Sequence, residues 1–507
     1  MTNDALQLTA HLDIPLSPIQ HVPQYSFFMP RPGTRMKRGA WVHFEAEATK
    51  ATSGHVMSST FNRRQFIQTA GAGLAAMQLA ALTPGRAAAV SSNGKPALLG
   101  GTPIRNTPFP SWPVIDQRDE RAWMDVLRSG KWFRGYGKAV DRFEEAYAAL
   151  TGAKHCIATA NGTSALLASL AGIGVGPGDE VILSPYTFIA TLNVVLLQYA
   201  LPIFVDTDPA TFQLDARKID AAVTDRTAAI IPVHIGGSPA DIDTVLATAQ
   251  KRKLPVIEDA CQAHIGEWRG RKVGSWGTTG CFSFQASKNL NSGEGGAILC
   301  NDSELAERCY AFHNNCRPRN TASYNFSYLG TRGANLRMTE FQATLLMSQM
   351  TRLEEQSRTR DQNAQYLTSM LREIPGIEPA KMYDGCTRNA WHLYMFRYRK
   401  EQFAELPRAK FMRAMGAEGI PCSGGYSPLN KESNMLASLK SKAYQRIYGP
   451  DVLAKWQERN QCPENDKLCQ EAVWFTQTML LGPRSDMEQI AAAIRRIHAH
   501  AGELAKA

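Results

Sequence analysis

Strand-like and helical runs alternate along residues 155–300, and this order constrains the fold more than any other feature of the chain. Short apolar runs predict strands at residues 155–159, 180–183, 202–205, 228–233, 255–258, 281–284 and 296–300. Residues 164–172, 189–199 and 240–252 read as helices. Strands joined through helices pair mostly in parallel, so we expect an α/β fold with a mostly parallel, mixed sheet and helices on both faces. Ligands collect at the carboxyl ends of such strands.

The remainder of the chain predicts a second, smaller part. Residues 340–371 read as one long helix that connects to it, and the chain ends in a predicted helix over residues 487–506. Residues 430–470 are polar and irregular and predict no element. We therefore expect an N-terminal arm and large domain at residues 90–355 and a smaller C-terminal α+β domain at residues 356–507.

The basic character of the chain does not indicate a nucleic-acid partner. The formal charge is +10, but residues 1–89 hold eight Lys/Arg against four Asp/Glu, and without them the charge falls to +6. The remainder contains no Lys/Arg block, zinc-finger spacing or basic stripe interleaved with aromatic residues. We expect no nucleic-acid binding.

The N-terminal segment predicts export. Asn62-Arg63-Arg64-Gln65-Phe66 precedes an apolar run at residues 70–82 and the small residues Ala87-Ala88-Ala89, which resembles a twin-arginine signal peptide over residues 57–89. The apolar run is too short for a permanent membrane span, which needs about 20 residues. Residues 1–56 are expected to be a disordered leader or an annotation artefact, with Met57 as the natural start. The mature protein would be periplasmic or extracytoplasmic, and cytoplasmic if the signal is not used.

The ten cysteines include no Cys-x-x-Cys pair, so we expect no metal site. Cys462 and Cys469 are the closest pair in sequence. They form either a disulfide in an oxidising compartment or two free thiols, and the sequence does not decide between these states.

A lysine and an aspartate follow two consecutive predicted strands. Asp259 ends the apolar run at 254–259, and Lys288 lies between the run at 281–284 and a glycine-rich turn at 293–296. A lone lysine is usually a solvated surface charge. Together with the aspartate it suits a site for pyridoxal 5′-phosphate (PLP), in which the lysine amine forms a Schiff base and the aspartate holds the pyridinium proton.

Two other segments follow strands in the same way. Thr163 and Ser164 open a predicted helix, where N–H groups and hydroxyls form a phosphate cup or an ordinary helix cap. Phe188 follows the second strand, where it stacks on a flat ring or packs as a core aromatic.

Together these motifs resemble the DegT/DnrJ/StrS family of PLP-dependent sugar and cyclitol aminotransferases, which have PLP fold type I. The similarity covers roughly residues 98–355. It rests on Gly178-Asp179-Glu180-Val181, Val233-His234, Glu258-Asp259-Ala260-Cys261-Gln262-Ala263-His264, Phe282-Ser283-Phe284-Gln285-Ala286-Ser287-Lys288, Gly293-Glu294-Gly295-Gly296 and Asn335-Leu336-Arg337-Met338-Thr339-Glu340. The chain departs from the family at Cys261, Ile265 and Ala334, which affects substrate contacts more than cofactor contacts.

The resemblance implies a role for each matching residue. Lys288 and Asp259 would be catalytic, as the Schiff-base lysine and the partner of the pyridine nitrogen. The implied cofactor-binding set is Thr163, Ser164, Phe188, Asp259, Gln262, Ser283, Lys288 and Asn335. Within that set Gln262 would contact the ring hydroxyl, and Thr163, Ser164 and Ser283 the phosphate. Asn335 would reach the phosphate of a neighbouring subunit, which implies a homodimer with shared active sites, and Arg337 would touch the substrate.

The implied activity is transamination of a keto-sugar or keto-cyclitol with glutamate or glutamine as amino donor. Residues 462–482 are similar to the C-terminal region of inosose and related cyclitol aminotransferases, and export disfavours nucleotide-activated sugars, which are chiefly cytoplasmic. One alternative is a PLP-dependent sugar dehydratase, although such relatives generally have histidine in place of Lys288. The other is an exported protein that binds PLP or a sugar without turnover.

Overall fold

The computed structural model describes residues 94–319, 328–330 and 332–507. The predicted leader at 1–56 and the predicted signal peptide at 57–89 lie outside these residues. Within the described residues, no helix is both long enough and apolar enough to cross a membrane.

The strands of the described chain form a seven-stranded central sheet and two small sheets. They are β1 (His155–Thr159), β2 (Glu180–Leu183), β3 (Leu201–Phe204), β4 (Thr227–Ile231), β5 (Ile257–Asp259), β6 (Glu267–Trp268), β7 (Arg271–Lys272), β8 (Thr279–Ser283), β9 (Gly296–Cys300), β10 (Ile377–Pro379), β11 (Cys386–Arg388), β12 (Leu393–Tyr398) and β13 (Ala472–Thr476).

The central sheet has the strand order β3-β2-β4-β5-β8-β9-β1, in which parallel bridges join β4 to β5. Neighbours from β3 to β8 are parallel, whereas β9 is antiparallel to both β8 and β1. This confirms the predicted mostly parallel, mixed sheet. The carboxyl ends of β1, β2, β4, β5 and β8 therefore meet at one edge.

The central sheet separates two hydrophobic cores. Ile157 and Ile298 belong to one core, whereas their neighbours Ala158 and Ala297 belong to the other. Successive side chains of a strand point to opposite faces, so strands that are apolar at every position pack against helices on both sides. The continuous apolar runs of the sequence are the cause of this double burial.

The helices lie between and after these strands. They are α1 (Gln117–Ser129), α2 (Ala139–Thr151), α3 (Gly162–Gly172), α4 (Ala190–Leu197), α5 (Ile219–Ala222), α6 (Ile242–Arg252), α7 (Ser303–His313), α8 (Glu340–Leu371), α9 (Arg408–Ala417), α10 (Ser433–Leu439), α11 (Lys442–Arg459), α12 (Pro463–Glu471), α13 (Arg484–Ala499) and α14 (Ala501–Lys506).

Helix α8 has the bounds that the sequence predicts, because Thr339 and Gln342 form a capping box at its first turn. After it, β10, β12 and β13 form an antiparallel sheet that packs with α9 and α13 around a third core. This is the expected α+β C-terminal part. Helix α8 runs across the predicted domain boundary at 355, and the described residues on both sides of that boundary belong to one compact unit. The boundary itself stays a prediction.

The structure differs from the sequence-based expectation in two C-terminal segments. The predicted helix over 487–506 is divided into α13 and α14, because His500 has non-helical backbone angles. Residues 430–470, for which no element is predicted, form α10, α11 and α12. Gly449 and Pro450 interrupt the helical pattern of α11, which conceals it in the sequence. Cys462 and Cys469 are buried free thiols.

Helix α11 covers the outer edge of the central sheet, which β3 forms. Trp456 is buried against β3 and donates from Nε1 to the Pro202 carbonyl at 2.7 Å. The Asn460 amide oxygen accepts from the Phe204 N–H at 2.6 Å. An uncovered edge strand presents unpaired backbone groups, and this segment satisfies them.

Candidate active site

A cavity of about 660 Å³ lies at the carboxyl edge of the central sheet. Its position follows from the sheet, because Asp259 and Ser283 are the last residues of β5 and β8. Of the predicted site residues, the cavity is lined by Thr163, Phe188, Asp259, Gln262, Ser283 and Lys288. Residues separated by more than a hundred positions in sequence therefore line the same cavity.

Lys288 lies in the cavity on the loop between β8 and β9. Its backbone N–H donates to the Gln285 carbonyl at 2.8 Å, which holds the loop in a turn. Burial lowers the pKa of the Lys288 amine, although the nearby Cys261 and Asp259 act in the opposite direction. A lower pKa increases the fraction of neutral amine, the form that acts as a nucleophile or a base.

Asp259 is held by two hydrogen bonds. Thr191 donates from Oγ1 to Oδ2 at 2.8 Å, and the Cys261 N–H donates to Oδ1 at 3.2 Å. The carboxylate is nearly inaccessible to solvent yet lines the cavity. It is therefore a fixed negative charge at the cavity wall, available to a cationic group of a ligand.

Glu258, which precedes Asp259, is fixed on the other side of the sheet. Its carboxylate accepts from His234 Nε2 at 3.0 Å and from backbone N–H groups of residues 274, 276 and 277. Because the Ala240 N–H donates to His234 Nδ1, the imidazole proton lies on Nε2. Burial alone would raise the pKa of Glu258, but these hydrogen bonds lower it. This pair anchors the end of β5 that carries Asp259.

Gln262 has both ends of its amide engaged. Oε1 accepts from the Gly236 N–H at 2.8 Å, and Nε2 donates to the Tyr426 hydroxyl at 2.9 Å. Burial raises the pKa of Tyr426 to about 12, so its hydroxyl keeps its proton at neutral pH. The hydroxyl accepts from Gln262 and retains one donor, and both residues line the cavity.

Helix α3 begins at the cavity, where Gly162 and Thr163 line the wall. The first N–H groups of a helix lack internal partners and favour anions. Asn161 caps the helix through Oδ1, which accepts from both the backbone N–H and the hydroxyl of Ser164, at 2.8 and 2.9 Å. Ser164 is thus engaged in the cap and does not line the cavity. Its predicted phosphate contact stays a prediction.

Phe188 lies between β2 and α4, and its side chain is 57% exposed although it lines the cavity. It is not a core aromatic, the alternative that the sequence left open. The Phe188 ring is therefore available to stack on a flat ligand.

Asn335 and Arg337 do not line the cavity of their own chain. Asn335 is exposed and forms a backbone bridge with Asn314. Arg337 donates from Nη1 to the Asn314 amide oxygen at 3.1 Å and lies over the Phe133 ring, 5.2 Å from its centroid. Burial, together with the charges of Arg317 and Arg134, lowers the pKa of Arg337.

Four further lining residues, which no sequence motif indicates, come from the C-terminal part: His392, Leu393, Tyr426 and Trp474. Tyr426 and Trp474 pack edge to face with centroids 4.8 Å apart. Leu393 and Trp474 lie on the apolar strands β12 and β13, and only the pairing of these strands brings two residues so distant in sequence to the cavity. The C-terminal part therefore supplies a wall of the cavity.

Comparison with known proteins identifies relatives over most of the chain. A model of the DegT/DnrJ/EryC1/StrS aminotransferase family matches residues 113–495. An L-glutamine:2-deoxy-scyllo-inosose aminotransferase of Streptoalloteichus tenebrarius is 37% identical over 420 residues, which are 80% of this chain and 98% of the relative.

Two solved structures are also similar to this chain over most of its length. The crystal structure of 3-amino-5-hydroxybenzoic acid synthase has a TM-score of 0.69 and 32% identity, and covers 78% of this chain and 100% of its own. An aminotransferase from Psychrobacter cryohalolentis has a TM-score of 0.68 and 29% identity, with 78% and 99% covered.

Proposed function

Because the chain belongs to the DegT/DnrJ/EryC1/StrS aminotransferase family, and is thus a PLP-dependent aminotransferase, we propose that it transfers the amino group of glutamine to a keto-cyclitol. The observation that carries this proposal is the single cavity that contains both Lys288 and Asp259. Relatives at 33–37% identity are named glutamine:inosose aminotransferases, which supports both the donor and the acceptor.

The cavity residues fit PLP. The start of α3 offers N–H groups and the Thr163 hydroxyl to a phosphate, and Ser283 adds a second hydroxyl. Asp259 supplies a fixed negative charge for a protonated ring nitrogen, and Phe188 supplies a ring face. The cavity volume lies within the usual range for cofactor sites, about 300–1,000 Å³. Bound PLP supplies an electron sink for the carbon that loses a proton.

The side chains of this protein then have separate tasks. Lys288, with its lowered pKa, holds and moves the proton that leaves the donor's α-carbon. Asp259, fixed by the hydrogen bond from Thr191, would hold a protonated ring nitrogen of the cofactor. Tyr426 and Trp474 line the cavity wall that the C-terminal part supplies, where their rings exclude water from the bound substrates.

The charges of the cavity favour an uncharged polyol over a nucleotide-activated sugar. The charged residues that line it, among those described, are Asp259, Lys288 and Glu294, and no arginine is present. Apart from Lys288, a diphosphate would find no cationic side chain of the same subunit there. Hydroxyl and amide groups of the lining suit the many hydroxyls of a cyclitol.

We infer that the active protein is a homodimer. Phe188, Trp132 and Asn335 are exposed in the single chain, as residues of a subunit contact would be. In this arrangement Asn335 and Arg337 would complete the neighbouring site. Mixing Lys288→Ala protein with Asn335→Asp protein should restore activity in hybrid dimers, and the absence of restoration would contradict shared sites.

We also infer export by the twin-arginine route. The inference rests on Arg63, Arg64 and the apolar run at 70–82, which lie outside the described residues. Mature protein that begins near Val90 in an extracytoplasmic fraction would support it. Cytoplasmic protein that begins at Met57 would contradict it.

The activity is tested with purified protein, glutamine or glutamate as donor, and a panel of keto-inositols and nucleotide keto-sugars. We expect turnover with glutamine and a keto-inositol, and a change in the visible absorbance of the cofactor when the donor is added. Turnover only with nucleotide keto-sugars would refute the proposal that the acceptor is a keto-cyclitol. The absence of an absorbance change with every donor would refute aminotransferase activity. Borohydride should trap cofactor on wild-type protein and not on Lys288→Arg protein.

A further inference from the structure

Arg360 is a buried guanidinium without a counter-charge. It lies in the middle of α8 and has 0% of its surface exposed. Nε donates to Gln477 Oε1 at 2.8 Å, but Nη1 and Nη2 have no hydrogen-bond partner. No Asp or Glu among the described residues forms an ion pair with it. Arginine is almost never fully buried unless it is paired, and its guanidinium does not deprotonate in proteins.

Two residues beside Arg360 also carry unpartnered donors. The Trp112 ring lies under the guanidinium, with 5.2 Å between Cζ and the ring centroid, and its buried Nε1 has no partner. Gln477 Nε2 is likewise buried without a partner. Nη1, Nη2, Trp112 Nε1 and Gln477 Nε2 carry N–H groups and no free lone pair. A cluster of donors around one positive charge complements an anion.

Neighbouring residues do not supply the missing charge. Asp361 follows in sequence but accepts from Trp391 Nε1 at 2.8 Å, on a different face of the helix. His264 and His392 lie close enough for Arg360 to contribute to lowering the pKa of each, after burial and the charge of Lys288. Both imidazoles are therefore neutral and carry no negative charge.

We propose that Arg360, with Trp112 and Gln477, holds a small monovalent anion inside the protein. One negative charge balances the one guanidinium, and an ion of chloride size accepts several N–H bonds at once. A halide and a small carboxylate share this chemistry. Because Arg360 has no exposed surface, the anion binds as the chain folds, and its binding adds to the stability of the native state.

Thermal unfolding of the full, cofactor-loaded protein tests the site. The salts are sodium chloride, bromide, formate and gluconate at equal ionic strength, gluconate being too large for the site. We expect a Tm about 2–4 °C higher in chloride and bromide than in gluconate. An equal rise of Tm in formate shows that the site also accepts a small carboxylate. Equal Tm values in all four salts overturn the proposal.

Two variants separate a specific site from general salt effects. Arg360→Met should lose the difference between chloride and gluconate, because an apolar side chain of similar length needs no counter-ion. Arg352→Met is the matched control, since Arg352 lies two turns earlier on α8 and is paired with Asp119 at 2.8 Å. It should keep the anion response even where its Tm falls. Loss of the response in both variants overturns the assignment to Arg360.

Diffraction decides the question if Arg360→Met does not fold. Crystals of the wild-type protein grown in bromide should show an anomalous peak within hydrogen-bond distance of Arg360 Nη1 or Nη2. Ordered water at that place without an anomalous peak overturns the proposal.

Discussion

Asn289 and His392 are joined by a hydrogen bond of 3.2 Å between the amide Oδ1 and the imidazole Nδ1. Asn289 Nδ2 donates to the Ala390 carbonyl at 2.6 Å, which fixes the amide oxygen toward the ring. Nδ1 therefore carries the proton of the neutral imidazole, and Nε2 keeps its lone pair. Asn289 follows Lys288, so one bond links the loop of the lysine to the C-terminal wall of the cavity.

Replacement of Asn289 by Leu removes both hydrogen bonds. We expect the free energy of unfolding to fall by about 1–3 kcal/mol, because the Ala390 carbonyl and His392 lose buried partners. The value of kcat/KM should fall about tenfold, since the Lys288 loop loses its link to His392. Denaturant unfolding and steady-state kinetics measure the two effects. Wild-type kcat/KM in a destabilised variant would show that the link is only structural.

The lowered pKa of Lys288 predicts a pH dependence of stability in the cofactor-free protein. The folded protein releases this proton below the ordinary value of 10.5, so between the two values the unfolded chain binds more protons. Stability should therefore rise with pH across that interval. Lys288→Met should lack this rise, while Lys455→Met, at an exposed lysine of α11, should retain it. Equal slopes in wild-type and Lys288→Met protein would refute the lowered pKa.

Thr191→Val removes the 2.8 Å hydrogen bond to Asp259 and leaves the carboxylate with the Cys261 N–H as its remaining donor. We expect kcat/KM to fall about tenfold, which corresponds to about 1.4 kcal/mol, and cofactor to dissociate faster in dialysis. Thr187→Val is the control, because Thr187 contacts Thr191 at 3.1 Å and not Asp259. An equal loss of kcat/KM in Thr187→Val protein would show that altered packing, and not the lost hydrogen bond to Asp259, causes the effect.

Tyr426→Phe leaves Gln262 Nε2 without its acceptor at 2.9 Å. The cost of that lost hydrogen bond is about 1–3 kcal/mol, and we expect part of it as a higher KM for the acceptor ketone. Tyr147→Phe serves as the control, because the buried Tyr147 hydroxyl has no partner and its removal should be neutral or stabilising. Unchanged kinetics of Tyr426→Phe would exclude a role in substrate binding.

Trp456→Phe removes the 2.7 Å bond to the Pro202 carbonyl, and Trp456→Ala removes the whole anchor of α11. We expect losses of about 1–3 and 3–5 kcal/mol in the free energy of unfolding. Lys455→Ala, on the exposed face of the same helix, should change it by less than about 0.5 kcal/mol. Equal stability of all three variants would mean that α11 does not protect the sheet edge.

The sequence predicts those site residues whose position depends only on the end of a strand. Asp259 ends a strand, and Lys288 and Thr163 each follow one. A parallel sheet brings strand ends together, so the convergence of these residues could be expected from sequence order. The cap between Asn161 and Ser164 is visible only in the structure, and the phosphate contact predicted for Ser164 stays a prediction. Asn335 and Arg337 lie outside the cavity of their own chain, and their predicted roles depend on a second subunit.

Local sequence patterns and one rule of sheet topology are enough to predict the alternating strands and helices, the bounds of α8 and the lysine-aspartate pair. The C-terminal wall of the cavity, the helices at 430–470 and the isolated charge of Arg360 are visible only in the folded chain. Those features arise from contacts between residues far apart in sequence. No local pattern records whether a buried aromatic ring or guanidinium finds a partner, since the partner's position is set by packing.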